Sequence, residues 1–442
     1  MIPLQPAPAG LPSGTIGGRR SRSAARSGPF ARLLDAPHRL AFFAAAVLMG
    51  ASALWWGLAL VARAAGVAVP WAVNPGTAHA LAMGFGFMPL FMLGFMFTAG
   101  PRWLGHAAVP ARQLRVPVGF IGLGWVAAFA GFHLSPALAA LGLAAVAVGF
   151  ALGTGLFGLM LLESRMQQPA GDRDHATLVL LGCFVGVVAL WIAAVAVALR
   201  ADAVARAAMH AALWGCFGLV FVSVAHRMIP FFTAAAVPAL DAWKPRALLG
   251  ILALLVAVQA PFAAAEVLAG GQLPPGPAGL RAAIELPGGA LLLWLAIRWG
   301  LVQSLRIRLL AMLHMGFFWL GVAFTLGGVS HALISLSDGA VSLGLAPLHA
   351  LTMGYLGSTL FSMATRVACG HSGRTLVADN WTWMMFWALQ AGIVARVVAA
   401  LVPAAATPLT LFAAQCWFAA MAAWAVRHGR WFLAPRLDGQ PG

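Results

Sequence analysis

Apolar stretches of about twenty residues recur from one end of this chain to the other, and that repetition constrains the fold more than any other feature. Wound as a helix, each such stretch covers roughly 30 Å of hydrocarbon. Only helices or closed barrels satisfy their backbone in lipid, and these runs exceed the roughly 9–11 residues of a barrel strand. Composition agrees: 62% of the 442 residues are hydrophobic and 9% charged, against about a quarter charged in soluble proteins. A disordered chain would show the opposite balance. The reading is an all-α polytopic membrane protein with twelve transmembrane helices, at about 40–63, 77–99, 116–133, 137–162, 176–199, 207–229, 247–268, 280–300, 309–330, 346–367, 382–402 and 407–427. Residues 1–38 read as a basic flexible tail, 39–428 as the membrane domain and 429–442 as a C-terminal tail. The first apolar run is too long for a cleavable signal core and has no clear cleavage site.

The net charge of +16 would suggest nucleic acid in a soluble protein; here it reports topology. With the N-terminus in the cytoplasm, the inside segments hold 22 of the 27 Lys and Arg residues, and only Arg63, Arg200, Arg206, Arg281 and Arg396 fall elsewhere. This bias favours both termini inside and an even number of spans. The four cysteines (Cys183, Cys216, Cys369 and Cys416) lie far apart, and no CxxC or CxxCH occurs. That argues against a disulfide framework, a thiol zinc site and covalent c-type haem attachment, and leaves the cysteines as small buried hydrophobes.

Three spans begin alike, with His79-Ala-Leu-Ala-Met-Gly84, His210-Ala-Ala-Leu-Trp-Gly215 and His349-Ala-Leu-Thr-Met-Gly354. Each reads H-A-x-x-x-G, and each interval equals four spans. The pattern predicts three pseudo-repeated four-helix units, with the histidines at one membrane depth. A two-fold repeat of six spans is the alternative.

Ionisable groups inside spans are costly and face the bundle interior, so each is a functional candidate. The histidines fall into two layers. His79, His210, His331 and His349 lie towards the outer face; His226, His314 and, in a loop, His371 lie towards the inner face. Imidazole binds iron, copper and zinc as a neutral ligand, so both layers are metal candidates. His210 and His226, roughly 24 Å apart along one helix, cannot share an ion. Met83 and Met353 follow their histidines by four residues, on the same face, and read as core. Arg102, Arg227 and Arg366 lie at helix C-termini; with His371 and Arg374 they could bind haem propionates or another anion, or simply mark topology. Arg281 and Glu285 form an i, i+4 pair. Arg396 has no carboxylate nearby in sequence and takes no role. No P-loop, dinucleotide fingerprint, G-x-S-x-G or HExxH is present.

At these residues the chain resembles the NnrS family. The matching segments are His79 to Phe85, Phe97-Thr-Ala-Gly-Pro-Arg-Trp103, Arg227-Met-Ile-Pro-Phe-Phe232, His349 to Tyr355 and, most distinctive, Met363-Ala-Thr-Arg-Val-Ala-Cys-Gly-His-Ser-Gly-Arg374. The likeness spans about 35–430. It implies haem, of b-type, and copper in the inner membrane of a bacterium. It also implies a part in the response to nitric oxide and nitrosative stress, binding or transforming nitric oxide or an iron–nitrosyl species. A looser, fold-level likeness is to the catalytic subunit of haem-copper oxidases, which also has twelve spans in a pseudo-threefold array with metal-binding histidines on helices 2, 6 and 10. This chain lacks the adjacent His-His pair of that subunit. The expected partners are therefore nitric oxide or a related small ligand and membrane lipid, with no nucleic acid. The alternatives are a transporter of a metal, haem or nitrosylated metal complex, and a non-catalytic haem sensor.

Overall fold

The computed structural model describes residues 28–167 and 173–439, and every regular element among them is helical. The first half comprises α1 (Pro37–Ala64), α2 (Pro75–Phe85), α3 (Met88–Leu104), α4 (Arg115–Leu134), α5 (Pro136–Gln167), α6 (Asp174–Ala198), α7 (Asp202–Ala212) and α8 (Leu219–Ala236). The second comprises α9 (Arg246–Ala257), α10 (Gln259–Leu268), α11 (Pro275–Arg298), α12 (Leu301–Ser304), α13 (Arg308–Leu336), α14 (Ala346–His349), α15 (Ser358–His371), α16 (Asn380–Leu401) and α17 (Ala406–Leu433). Eleven helical stretches among the described residues are long and apolar enough to cross a membrane; α2 with α3, α7 with α8 and α9 with α10 each form one. The path from α14 to α15 is also unbroken, but its Ser, Thr and Gly residues leave it outside that group.

Burial separates an inner set of helices from an outer one. In the stretches Pro75–Leu104 and Asp202–Ala236, 83% of the apolar window is buried, against 28% for the last helix and 39% for the first. The helices that begin with the histidine motif are thus central. In each, the α-helical register fails just past the histidine. The α2 helix stops before Gly86 and Phe87, while π-helical segments occupy Leu213–Gly218 and Ala350–Gly357. Regular helix resumes at Met88, Leu219 and Ser358, each nine residues after its histidine. Such breaks free backbone groups that need partners. The carbonyl of Phe85 receives the indole N–H of Trp125 (3.0 Å), and Gln390 Nε2 donates to Ser358 Oγ (2.8 Å) where the last π segment ends.

Small residues set the close contacts. A Cβ on Gly84 would lie 2.0 Å from Met209 Cε, so the glycine of the first motif lets α2 approach the start of the second. Gly124 and Gly142 bring α4 and α5 together, and a Cβ on Gly142 would meet the Ala128 nitrogen and the Gly124 carbonyl oxygen at 2.5 Å. Backbone approach of this kind is what holds helices together in lipid. The four cysteines are unpaired, and three are buried.

The two described ends meet. Buried Arg39 donates from Nη1 to the carbonyls of Phe432 (3.2 Å) and Ala434 (2.9 Å), and Arg32 Nη1 reaches that of Leu433 (3.2 Å). These guanidinium groups satisfy the open C-terminus of α17. Of the expected N-terminal tail, 1–27 lies outside the described residues, but the remainder is folded: a 3₁₀ turn at Ala31–Leu34 buries Leu33. The last helix also runs to Leu433, past the expected 427, because its end packs on α1.

The α4–α5 seam yields a prediction. Gly142→Val should destabilise the protein by about 1–3 kcal/mol because backbone blocks the added side chain, whereas Gly155→Ala, which meets nothing within 4 Å, should not. Thermal melting in detergent reads both; equal melting temperatures would contradict the seam.

Candidate functional site

A cavity of about 1350 Å³ occupies the end of the bundle where α2, α7 and α14 begin. Its mouth is lined by loop residues including Val67, Val69, Gly271, Gly339 and Ser342. His79, His210, His331 and His349, from four separate helical stretches, all line it. So do Met83 and Met353, the aromatic residues Trp56, Trp214 and Trp417, the cations Arg63, Arg206, Arg281 and Arg396, and the carboxylates Glu266 and Glu285. The outer layer expected from the sequence therefore gathers around one space.

The walls differ in character. One side is an ion cluster among α10, α11 and α13. Arg281 Nε donates to Gln259 Oε1 and Glu285 Oε1 (both 3.0 Å), and its Nη1 donates to Glu266 Oε2 (2.7 Å). His331 Nδ1 donates to Glu285 Oε2 (2.6 Å), and its Nε2 lies 3.7 Å from Glu266 Oε1. The expected Arg281–Glu285 pair is thus present, but as part of a buried network that also engages both nitrogens of His331. Two carboxylates, one guanidinium and one imidazole thus share a single buried network. His210 shares the electrostatic field of Glu266, Arg206 and Arg281.

The other side holds His79 and His349. Trp56 stacks on the His79 ring at a centroid distance of 4.1 Å and an interplanar angle of 20°, and the His79 Nδ1 is buried without a hydrogen-bond partner. His349 Nδ1 donates to the Leu345 carbonyl (3.0 Å). That bond fixes the tautomer and leaves the Nε2 lone pair available, the arrangement typical of a metal-binding imidazole. Arg396 acts electrostatically on both rings, yet among the described residues no carboxylate pairs with it. Sequence reading missed Arg396 as part of this wall, and Glu266 and Gln259 as parts of the ion cluster opposite. An unpaired arginine inside a span was the one available signal.

The inner-layer residues lie elsewhere. His226 Nδ1 and His175 Nε2 share a 3.0 Å hydrogen bond, and His226 Nε2 donates to the Pro245 carbonyl (3.2 Å). His314 Nε2 bonds Thr233 Oγ1 (2.9 Å). His371 contacts the ring of His38 at 4.3 Å. Arg227 lies over Trp103, Arg366 over Phe232 and Arg374 over Trp431, at 5.0, 3.7 and 4.2 Å. Arg102, Arg227 and Arg366 sit roughly 25–35 Å along their helices from the motif histidines, so one ligand at those histidines cannot also reach them. Among the described residues no three His, Cys, Asp or Glu side chains are placed to hold one metal ion.

The fold and cavity define a multi-pass helical membrane protein with a histidine-rich pocket at one end. The family described as NnrS protein matches residues 32–436, and the chain belongs to it; membership points to a role in the nitric oxide response. No curated protein matches the chain closely enough to add a named relative.

Removing one member of the buried cluster should be costly. Glu285→Ala leaves Arg281 and His331 sharing the single carboxylate of Glu266, a change worth about 3–5 kcal/mol. A melting temperature within a degree of the wild type would contradict the network.

Proposed function

We propose that this chain is a twelve-span protein of a bacterial inner membrane that holds haem in the histidine-lined cavity and handles nitric oxide, or a related small ligand, there. The convergence of His79, His210, His331 and His349 on one space carries this reading. The residues suit haem. Haem asks the protein for one or two axial nitrogens; His349 has an available Nε2 and His79 an unpartnered ring nitrogen. The cavity exceeds the roughly 300–1,000 Å³ of ordinary small-molecule pockets. Copper, which takes imidazole and thioether donors, would draw on the same imidazoles together with Met83 or Met353, which also line the cavity; among the described residues no three His, Cys, Asp or Glu side chains are placed to hold it.

Haem iron would supply a coordination position for a small diatomic ligand. The chain's own residues do the rest. The Leu345 carbonyl holds the His349 tautomer, Trp56 holds the plane of His79, and the Glu266–His331–Glu285 cluster keeps a proton at His331 Nδ1 beside the cavity.

Three four-helix units and cytoplasmic termini belong to the same proposal. The common nine-residue interval from each motif histidine to the restart of helix supports the repeat. The meeting of Arg32 and Arg39 with residues 432–434 supports an even number of crossings. The arginine bias then turns the cavity towards the periplasm.

A transporter is the second reading, favoured by the other half of the bundle. There Phe91, Phe221 and Leu360, from the three central helices, line an apolar space of only about 60 Å³. A large cavity at one end of the bundle and little open space between the central helices elsewhere suit alternating access.

Protein purified in mild detergent from haem-replete cells should show a Soret band and bound iron. His349→Ala and His79→Ala should each remove most of that absorbance. A colourless, iron-free wild type would end the haem reading, and haem or metal flux in proteoliposomes would establish the second.

A further inference from the structure

Arg396 is the residue that neither the fold nor the haem reading explains. It sits about 8 Å inside the end of α16, within a span where a lone guanidinium is expensive. Arginines near helix ends commonly extend to the headgroups; this one lines the cavity, half-buried, with its charge bearing on His79 and His349. Arg63 and Arg206 line the same space, and among the described residues neither pairs with a carboxylate, since Glu266 and Glu285 are occupied by Arg281 and His331. On the adjoining helix α17, Trp417 borders the cavity and leaves its indole N–H without an acceptor. The space is therefore cationic, with Arg396 uncompensated on the side of the two imidazoles, and such a field concentrates anions.

We propose that Arg396, beside His79 and His349, is an anion subsite that takes a planar two-oxygen anion of carboxylate type. The guanidinium fork presents two parallel donors that match such a pair of oxygens. The anion is either a free small oxyanion entering from the mouth or a carboxylate arm of a larger molecule seated in the cavity. This subsite does not depend on haem being that molecule.

The test compares full-length wild type, Arg396→Gln and Arg396→Lys in detergent at constant ionic strength. Tryptophan fluorescence, for which Trp56, Trp214 and Trp417 are reporters on the cavity wall, is titrated with sodium nitrite and sodium acetate against sodium chloride. Visible absorbance per protein is read in parallel. For a free anion, the wild type responds saturably to nitrite or acetate, and Arg396→Gln weakens the response at least about tenfold, with cofactor content unchanged. For a carboxylate arm, the added salts do not bind, and Arg396→Gln purifies with its cofactor content lowered by a similar factor. The lysine variant keeps the charge without the fork and should fall between in either case; it carries the comparison if the glutamine variant does not fold. Arg396 variants that match the wild type in both readouts overturn the subsite. So does a wild type with neither saturable anion binding nor a cofactor. A colourless wild type that still binds nitrite removes the haem reading and leaves this one standing.

Discussion

Imidazoles, guanidinium groups and carboxylates are costly in hydrocarbon, and the architecture follows from where this chain puts them. Outward-facing surfaces of the helices are aliphatic and aromatic, with residues such as Leu123, Leu141, Phe184 and Leu254 exposed. Most of the ionisable groups within the spans line one cavity or are bonded among themselves. The most buried stretches are those that carry the cavity histidines. The same helices lose their α register within eight residues of those histidines, where side chains such as Trp125 and Gln390 compensate nearby backbone and hydroxyl groups. Helix irregularity and chemistry coincide, as they do at many functional sites.

The cavity is divided by electrostatics. On one wall Arg281, Glu266, Glu285 and His331 satisfy one another closely, and that wall supplies rigidity and a place for a proton. On the other, His79 and His349 keep ring nitrogens available, and Arg396 keeps its charge uncompensated. A satisfied wall facing an unsatisfied one is the arrangement expected of a pocket built to receive something. At the far end of the bundle, Arg227, Arg366 and Arg374 lie over aromatic faces, and Arg374 Nη1 is buried without a hydrogen-bond partner.

Much of this was legible in the sequence, because hydropathy and motif spacing are local properties. Eleven of the twelve expected spans appear as long apolar helices among the described residues, with edges displaced by several residues, and the H-A-x-x-x-G motif singled out three of the four cavity histidines. What could not be read depends on contacts between distant segments. The break at Gly86 and Phe87 and the two π segments have no composition of their own. The partners of Arg281 come from α10 as well as its own helix, so its sequence neighbour Glu285 told only part of the story. His331 looks in sequence like its fellow outer histidines and differs only because two carboxylates meet it in space. Arg396 stood out as unexplained, but its place beside two imidazoles depends on the packing of α16 against α14 and of α17 behind it.

The central claim is that histidines from separate stretches of chain share one pocket open at one end. Single cysteines at positions 79, 210 and 349, in a background with the half-buried Cys416 replaced by alanine, probe it with a membrane-impermeant thiol reagent applied to each side of oriented vesicles. The account predicts that all three label from the same side, and that a bulky adduct at one position slows labelling when a second of these cysteines is also present. Labelling from opposite sides, or three sites that react independently of one another, would contradict it.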